Sequence, residues 1–456
     1  MTLTPEPPAA VPSTVAVPDT PATDASPMPE PPAAPPQVLR RVVAASFIGN
    51  FVEWFDYAVY GYLATVIARV FFPEAAATTG LLATFAVFAI SFVIRPIGAL
   101  VWGHLGDRIG RRSALSLSIL IMSIATFCVA LIPGYATIGV AAPILLLVVR
   151  MVQGFSASGE YAGASAFLAE YAPQRRRGLF TSVVPASTAT GLLVGSLLAA
   201  LLTAVLNTGQ LDSWGWRLPF LLAAPLGLIG RYIRLRLEDT PKFHELELRE
   251  HANAPLRELF THHRRAIAIA LGVTCLNAVG FYLLLSYMPT YLSTELGVGE
   301  TASFVASAIT LTCYIGFIFG MGALSDRFGR KRVLIAASIG FTVLTIPLFI
   351  ALGAVGIVGI VAIQIALNFL LTMNDGTLPV FLAEIFPTRV RYSGFAFSFN
   401  TANALFGGTA PFVATLLIHV TGSNLAPGGY LVAAAIVAMI AMSLAAETGR
   451  APLADE

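Results

Sequence analysis

From Arg40 onward the chain alternates long apolar stretches with short polar ones, and each apolar stretch is near the ~20 residues an α-helix needs to cross a hydrocarbon core. Twelve such segments are predicted, at 42–71, 79–102, 113–133, 141–171, 178–206, 215–236, 266–292, 301–323, 333–352, 355–386, 392–420 and 428–446. The fourth and tenth exceed a single span, so tilt or extension past the membrane surface is expected. Only Gly353 to Gly356 separate the ninth from the tenth. The expected fold is all-α: a polytopic membrane protein with twelve transmembrane helices in two pseudo-symmetric six-helix bundles.

The two bundles follow from a repeat in the polar connections. Gly103-His-Leu-Gly-Asp107-Arg108-Ile-Gly110-Arg111-Arg112 returns as Gly322-Ala-Leu-Ser-Asp326-Arg327-Phe-Gly329-Arg330-Lys331, 219 positions later. Phe167-Leu-Ala-Glu170-Tyr-Ala-Pro173-Gln-Arg175-Arg-Arg177 returns as Phe381-Leu-Ala-Glu384-Ile-Phe-Pro387-Thr-Arg389-Val-Arg391, 214 positions later. Two halves that share loop chemistry in the same order are a parallel internal repeat, a known construction of secondary transporters. The expected divisions are a Pro/Ala-rich cytoplasmic tail at 1–39, bundles at 40–237 and 266–446, a cytoplasmic linker at 238–265, and a short cytoplasmic tail at 447–456.

Composition agrees with a membrane class: 56% of residues are apolar and 11% charged, against roughly 25% charged in a soluble domain. Residues 1–36 hold 12 of the 29 prolines and no Lys or Arg. That excludes a secretory signal and predicts disorder. Of 27 Lys and Arg, 23 fall in one set of alternate connections, while the opposite set keeps only Arg69 and Arg217. By the positive-inside rule both termini are expected in the cytoplasm, with the chain in the cell membrane. Cys128, Cys275 and Cys313 each lie in a predicted span, without zinc or disulfide spacing. No nucleophile–base pair, metal cluster or phosphate loop appears, and no cofactor, nucleic acid or enzymatic activity is expected.

Charges kept inside apolar helices are costly, by ~2.5–3.5 kcal/mol on insertion scales, and are functional candidates by default. Glu53 and Asp56 stand three apart on one face of the first helix. Two carboxylates close together in a medium of low dielectric do not easily both ionise, which suits proton coupling; Asp375 is a further candidate. Arg150 is the natural partner of Asp56, and protonation of the acid would free the guanidinium for a substrate carboxylate. Arg95 either lines the inner half of a pathway or pairs with an acid of the fourth helix. Glu160, ten residues beyond Arg150, is rotated about 280° from it and faces Arg95 or another helix. Trp54, Tyr57, Tyr60, Tyr282 and Tyr287 are aromatic candidates for holding an ammonium group; Gln153, Asn277, Asn400 and Asn403 are candidate hydrogen-bonding groups. Gly103, Asp107, Arg108, Arg111, Gly322, Asp326, Arg327, Arg330, Glu170 and Glu384 are expected to gate one face.

The duplicated Gly-x-x-x-Asp-Arg-x-Gly-Arg-Arg/Lys loop resembles the signature of the major facilitator superfamily. Gly49-Asn-Phe-Val-Glu-Trp-Phe-Asp-Tyr, Phe92-Val-Ile-Arg-Pro-Ile-Gly, Gln153-Gly-Phe-Ser-Ala-Ser-Gly-Glu-Tyr and Trp214-Gly-Trp-Arg-Leu-Pro-Phe are similar to its metabolite:proton symporter family. The closest likeness is to proline/betaine transporters, in Glu160-Tyr-Ala-Gly-Ala-Ser-Ala-Phe-Leu-Ala-Glu170-Tyr and Leu284-Leu-Ser-Tyr287-Met-Pro-Thr-Tyr291-Leu-Ser. The resemblance covers about residues 40–446. It implies alternating access and inward symport of a small organic solute with protons, by a monomer in the lipid bilayer. Osmosensory members can carry a C-terminal coiled coil; here about ten residues follow the last predicted helix. With two intramembrane arginines, a zwitterion or monocarboxylate is better neutralised than a tricarboxylate. The alternatives are proton symport of a mono- or dicarboxylate such as 2-oxoglutarate, shikimate or citrate, and export on the same scaffold.

Overall fold

A computed structural model describes residues 36–75, 77–235, 255–449 and 453; within the helices nothing is said of a few side chains, among them Asp107, Arg111 and Arg112. The tail before residue 36 and most of the linker expected at 238–265 lie outside the described residues. The described chain is helical, with no strand among these residues.

The first bundle comprises six helices. They are α1 (Pro36–Tyr62, continued by Ala64–Phe71), α2 (Ala77–Val93, then Arg95–Ile109), α3 (Arg111–Leu131), α4 (Ala141–Ala157, then Glu160–Tyr171), α5 (Arg177–Thr181, then Val183–Val205) and α6 (Leu218–Leu235). The second begins with α7 (Arg264–Phe281, a π-helical turn Tyr282–Tyr287, then Met288–Thr294). It continues with α8 (Glu300–Phe328), α9 (Arg330–Leu352), α10 (Ile357–Asp375, then Leu378–Ile385), α11 (Arg391–Ala402, a π-helical turn Asn403–Gly407, then Ala410–Thr421) and α12 (Ala426–Leu444). Ten segments among the described residues are long and apolar enough to span a bilayer. The other two of the twelve are α1, diluted by Asn50, Glu53 and Asp56, and α6.

Packing repeats as the loops do. In the first bundle α1 lies against α5 and α6, α3 against α4 and α6, and α2 against α4; in the second, α7 lies against α11 and α12, α9 against α10 and α12, and α8 against α10. Between bundles the equivalent contacts are α2 with α11 and α5 with α8. Large apolar side chains such as Val93, Leu131, Val205, Val358 and Val420 point outward, as a lipid-facing surface requires. The chain is a multi-pass membrane protein.

The turns between α2 and α3 and between α8 and α9 each hinge on one glycine in the left-handed region, Gly110 at φ 94° and Gly329 at φ 98°. A residue with a Cβ is strained there. These turns mark what is called here the basic face; the other end is the opposite face.

Two expected boundaries are corrected. Pro36 to Leu39, assigned to the disordered tail, already form the first turn of α1, where proline's fixed φ suits a helix start. Within the stretch taken as linker, Pro255–His262 form a short helix that buries Leu259 and leaves Arg257 and Phe260 exposed.

Candidate functional site

Two ion pairs are built on one face of α1. Arg150 Nη1, from α4, donates to Asp56 Oδ2 at 2.8 Å, and Arg95 Nη2, at the restart of α2, donates to Glu53 Oε1 at 3.0 Å. All four side chains are buried. Tyr57 lies between the pairs, its ring centroid 4.7 Å from the Arg95 guanidinium carbon and 5.0 Å from that of Arg150. Tyr60 covers Arg150 at 4.2 Å and donates its hydroxyl to Thr84 O. Positions 53, 56, 57 and 60 share a face at helical spacing, so one stripe supplies both acids and both ring platforms.

Gln153 closes the Asp56 pair into a ring of hydrogen bonds. Its Nε2 donates to Asp56 Oδ1 (3.0 Å) and to Thr126 Oγ1 (2.7 Å), while its Oε1 accepts from Arg150 Nη1 (3.1 Å). Each guanidinium nevertheless keeps buried N–H groups without a hydrogen-bond partner, Nε and Nη2 of Arg150 and Nε of Arg95. Glu160 is buried at the start of the second part of α4, near enough to Glu53 to act on its charge.

Across the bundle interface sits a third acid. Asp375, at the end of the first part of α10, accepts from Asn277 Nδ2 of α7 (2.7 Å) and from Tyr314 Oη of α8 (2.5 Å). No ion pair of Asp375 is found among the described residues. It lines a narrow cavity between the bundles together with Trp54, Tyr161, Thr188, Asn277, Phe281, Phe399 and Asn403. Trp54 meets Phe281 edge-on at 4.8 Å, and Tyr161 stacks on Phe399 at 4.3 Å. Neither arginine lines this cavity. Trp54, which lines it, packs 5.9 Å from Tyr57, whose ring lies against both guanidinium groups.

The basic face is closed by reciprocal contacts. Glu170 of the first half pairs with Arg391 of the second (2.7 Å), and Glu384 of the second approaches Arg177 of the first (3.9 Å). Since 170 + 214 = 384 and 177 + 214 = 391, each half lends the same acid to the same arginine of the other. Asp326 accepts from the backbone N–H groups of Gly178 (2.8 Å) and Leu179 (2.9 Å) across the interface, and from Arg330 (2.8 Å), which also reaches Glu384 (3.2 Å). Gly103 lies against Ser393, and Gly322 against Gly178 and Ser182.

Other sequence candidates fall elsewhere. Arg95 takes its acid from α1, pairing with Glu53 rather than with an acid of the fourth helix. Asn400 donates to Ser158 O (2.6 Å) and Ala396 O (2.8 Å), tying α11 to the break in α4. Tyr287 stands apart from the cavity, its hydroxyl 3.0 Å from Thr415 Oγ1, while Tyr282 packs on Phe92 and Trp54. Arg108 and Arg327 are exposed, and the side chains of Asp107 and Arg111 lie outside the described ones. Thr126, Tyr161 and Phe399 were not among the candidates: hydroxyls and rings in apolar helices carry no signal that separates them from packing residues. Arg177 and Arg391 stand in the same repeat as the two glutamates, a signal that marks them as candidates without saying what they pair with.

Comparison with known proteins decides the class. The model of the Major Facilitator Superfamily matches residues 46–411, with a second match at 271–453. The chain belongs to the Major Facilitator Superfamily. It is 39% identical over 432 residues to the proline/betaine transporter of Salmonella typhimurium, covering 91% of this chain and 85% of that one. Identity and coverage are the same against the glycine betaine/proline/ectoine/pipecolic acid transporter OusA of Dickeya dadantii. Among solved structures, the proton:xylose symporter XylE bound to 6-bromo-6-deoxy-D-glucose shares the fold, with a TM-score of 0.76 at 18% identity over 91% of this chain and 98% of that one. As in its named relatives, the chain is a transporter scaffold and not an enzyme.

Proposed function

We propose that the protein is a secondary active transporter that moves a small zwitterion of the proline or glycine betaine type together with protons, by alternating access. The observation that carries this reading is a buried acid, Asp375, on an aromatic cavity between the two halves, with two further buried acids on α1, whose Trp54 lines the same cavity. Asp56 and Glu53 are matched by arginines; Asp375 is not.

The chemistry follows from those matches. Trp54, Tyr161, Phe281 and Phe399 offer ring faces to a quaternary or secondary ammonium, which a cation–π contact favours when water is excluded. A proton arriving at Asp56 cancels the charge that holds Arg150, whose unbonded N–H groups then serve the solute carboxylate. Asp375, with only neutral donors around it, has a proton as its natural counter-charge. Glu53 and Arg95 support the first pair through the shared Tyr57 ring. The named relatives carry proline and betaine, which are zwitterions of this kind.

The bias of basic residues supports a cell-membrane orientation with both termini in the cytoplasm, the basic face inward, and bundles at 40–237 and 266–446. One chain holds every residue invoked, so a monomer suffices. In proteoliposomes, labelled proline or glycine betaine is expected to accumulate under an inward proton gradient. Accumulation that persists when a protonophore collapses the gradient would refute the coupling.

A further inference from the structure

Behind Asp375 the second bundle contains polar side chains that the transport cavity does not use. On α10, Gln364, Asn368, Thr372 and Asp375 recur at spacings of four, four and three; on α8, Ser303, Ser307, Thr310 and Tyr314 recur at four, three and four. All eight are buried. Both helices run from the opposite face toward the basic face, and Tyr314 donates to Asp375 where their stripes end. The spans match, since 375 − 364 = 11 and 314 − 303 = 11. With ~1.5 Å of rise per residue, each stripe covers about 16 Å. α8 and α10 pack side by side.

Unmet hydrogen-bonding groups lie on both stripes, whereas Ser303, Thr310 and Thr372 donate to carbonyls of their own helices. Both amide atoms of Gln364 and both of Asn368 lack a partner, as do the hydroxyls of Ser307 and of Thr345 on α9, which packs against α10. Buried amides without protein partners are where ordered water is found, because leaving them dry is costly. Tyr314 and Asn277 bond Asp375 from α8 and α7, Tyr161, Thr188 and Asn403 line the same cavity, and among the described residues no charged side chain pairs with it.

From this we infer that α8 and α10 enclose a water-filled polar column, leading from the opposite face to Asp375 and giving it proton access separate from the solute cavity. The inference rests on the proposed coupling for its purpose, though its hydration can be tested alone. Asn368→Cys and Ser307→Cys, in full-length protein whose Cys128, Cys275 and Cys313 are changed to Ser, are exposed to Ag+ in proteoliposomes. Remaining thiols are then titrated with a maleimide in denaturant. Both positions are expected to lose their thiols to Ag+, while Phe369→Cys, on the lipid-facing side of α10, keeps its own. Protection of both column positions overturns the inference, whatever drives transport. With hydration established, Gln364→Leu combined with Asn368→Leu should slow gradient-driven uptake severalfold and spare counterflow exchange. Unchanged gradient-driven uptake would show that Asp375 takes its proton elsewhere. Wild-type uptake indifferent to a proton gradient would instead defeat the coupling, and leave the Ag+ result standing.

Discussion

At the scale of single residues, the Asp56–Arg150–Gln153 ring is where chemistry and stability meet. A buried ion pair is helped when its remaining lone pairs are met, and Gln153, itself bonded to Thr126, donates to the second oxygen of Asp56. Asp56→Asn keeps the shape and removes the titrating group. It is expected to abolish solute accumulation while leaving counterflow exchange measurable, because exchange needs binding and reorientation but no net proton movement. Accumulation by the variant would place the proton carrier elsewhere. Arg150→Lys loses the planar fork, so a hydrogen bond to a charged group, ~1.5–3 kcal/mol, is forfeited on the solute carboxylate. The apparent KM for proline should rise about ten- to hundredfold on that figure, read from initial uptake rates.

At the scale of helices, the reciprocal pairs Glu170–Arg391 and Glu384–Arg177 hold α4, α5, α10 and α11 together at the basic face. Arg391→Ala removes from buried Glu170 the counter-ion at 2.7 Å, and breaking a buried pair typically costs ~3–5 kcal/mol. A clear drop in melting temperature is expected in detergent, with partial recovery in the charge-swapped double variant Glu170→Arg, Arg391→Glu; no drop would mean that the pair contributes little to the closed state. The glutamates of these pairs were legible in the sequence because the repeat duplicates them. Their cross-bundle pairing was not, since a repeat fixes which residues are equivalent and says nothing of which half a side chain reaches into. The same limit explains Arg95. Its helix reads as one apolar run, and nothing in that run says that the guanidinium faces Glu53 of α1. Asn400 looked like a cavity amide because asparagine in an apolar helix is expensive, yet its amide serves the broken backbone of α4. Helix number and order came through well, because hydrocarbon thickness imposes a length that any spanning segment must show.

At the scale of the whole molecule, the two bundles touch through α2 with α11 and α5 with α8, and the glycines there set how closely they approach. A Cβ placed on Gly322 would lie 2.5 Å from Gly178 O, so the basic face closes only because neither position carries a side chain. If transport requires the halves to rock about the central cavity, these contacts must part in every cycle. A covalent tie across them should therefore stop transport without harming the fold. Gly103 and Ser393 meet there: a Cβ at Gly103 would stand 3.3 Å from Ser393 Cβ, just short of the ~3.5–4.5 Å of a disulfide, and 2.7 Å from Ser393 Cα, so α2 and α11 must part slightly to accept the tie. The double variant Gly103→Cys, Ser393→Cys, with the three native cysteines replaced, is expected to take up solute when reduced. Oxidation should then abolish net uptake, and reductant should restore it. Solute added to the opposite face should still shift the melting temperature of the oxidised protein, because the cavity lies beyond the tie. Full uptake by protein shown to be cross-linked would mean that the basic face never opens there, and that the solute leaves by a route other than the one between the two halves.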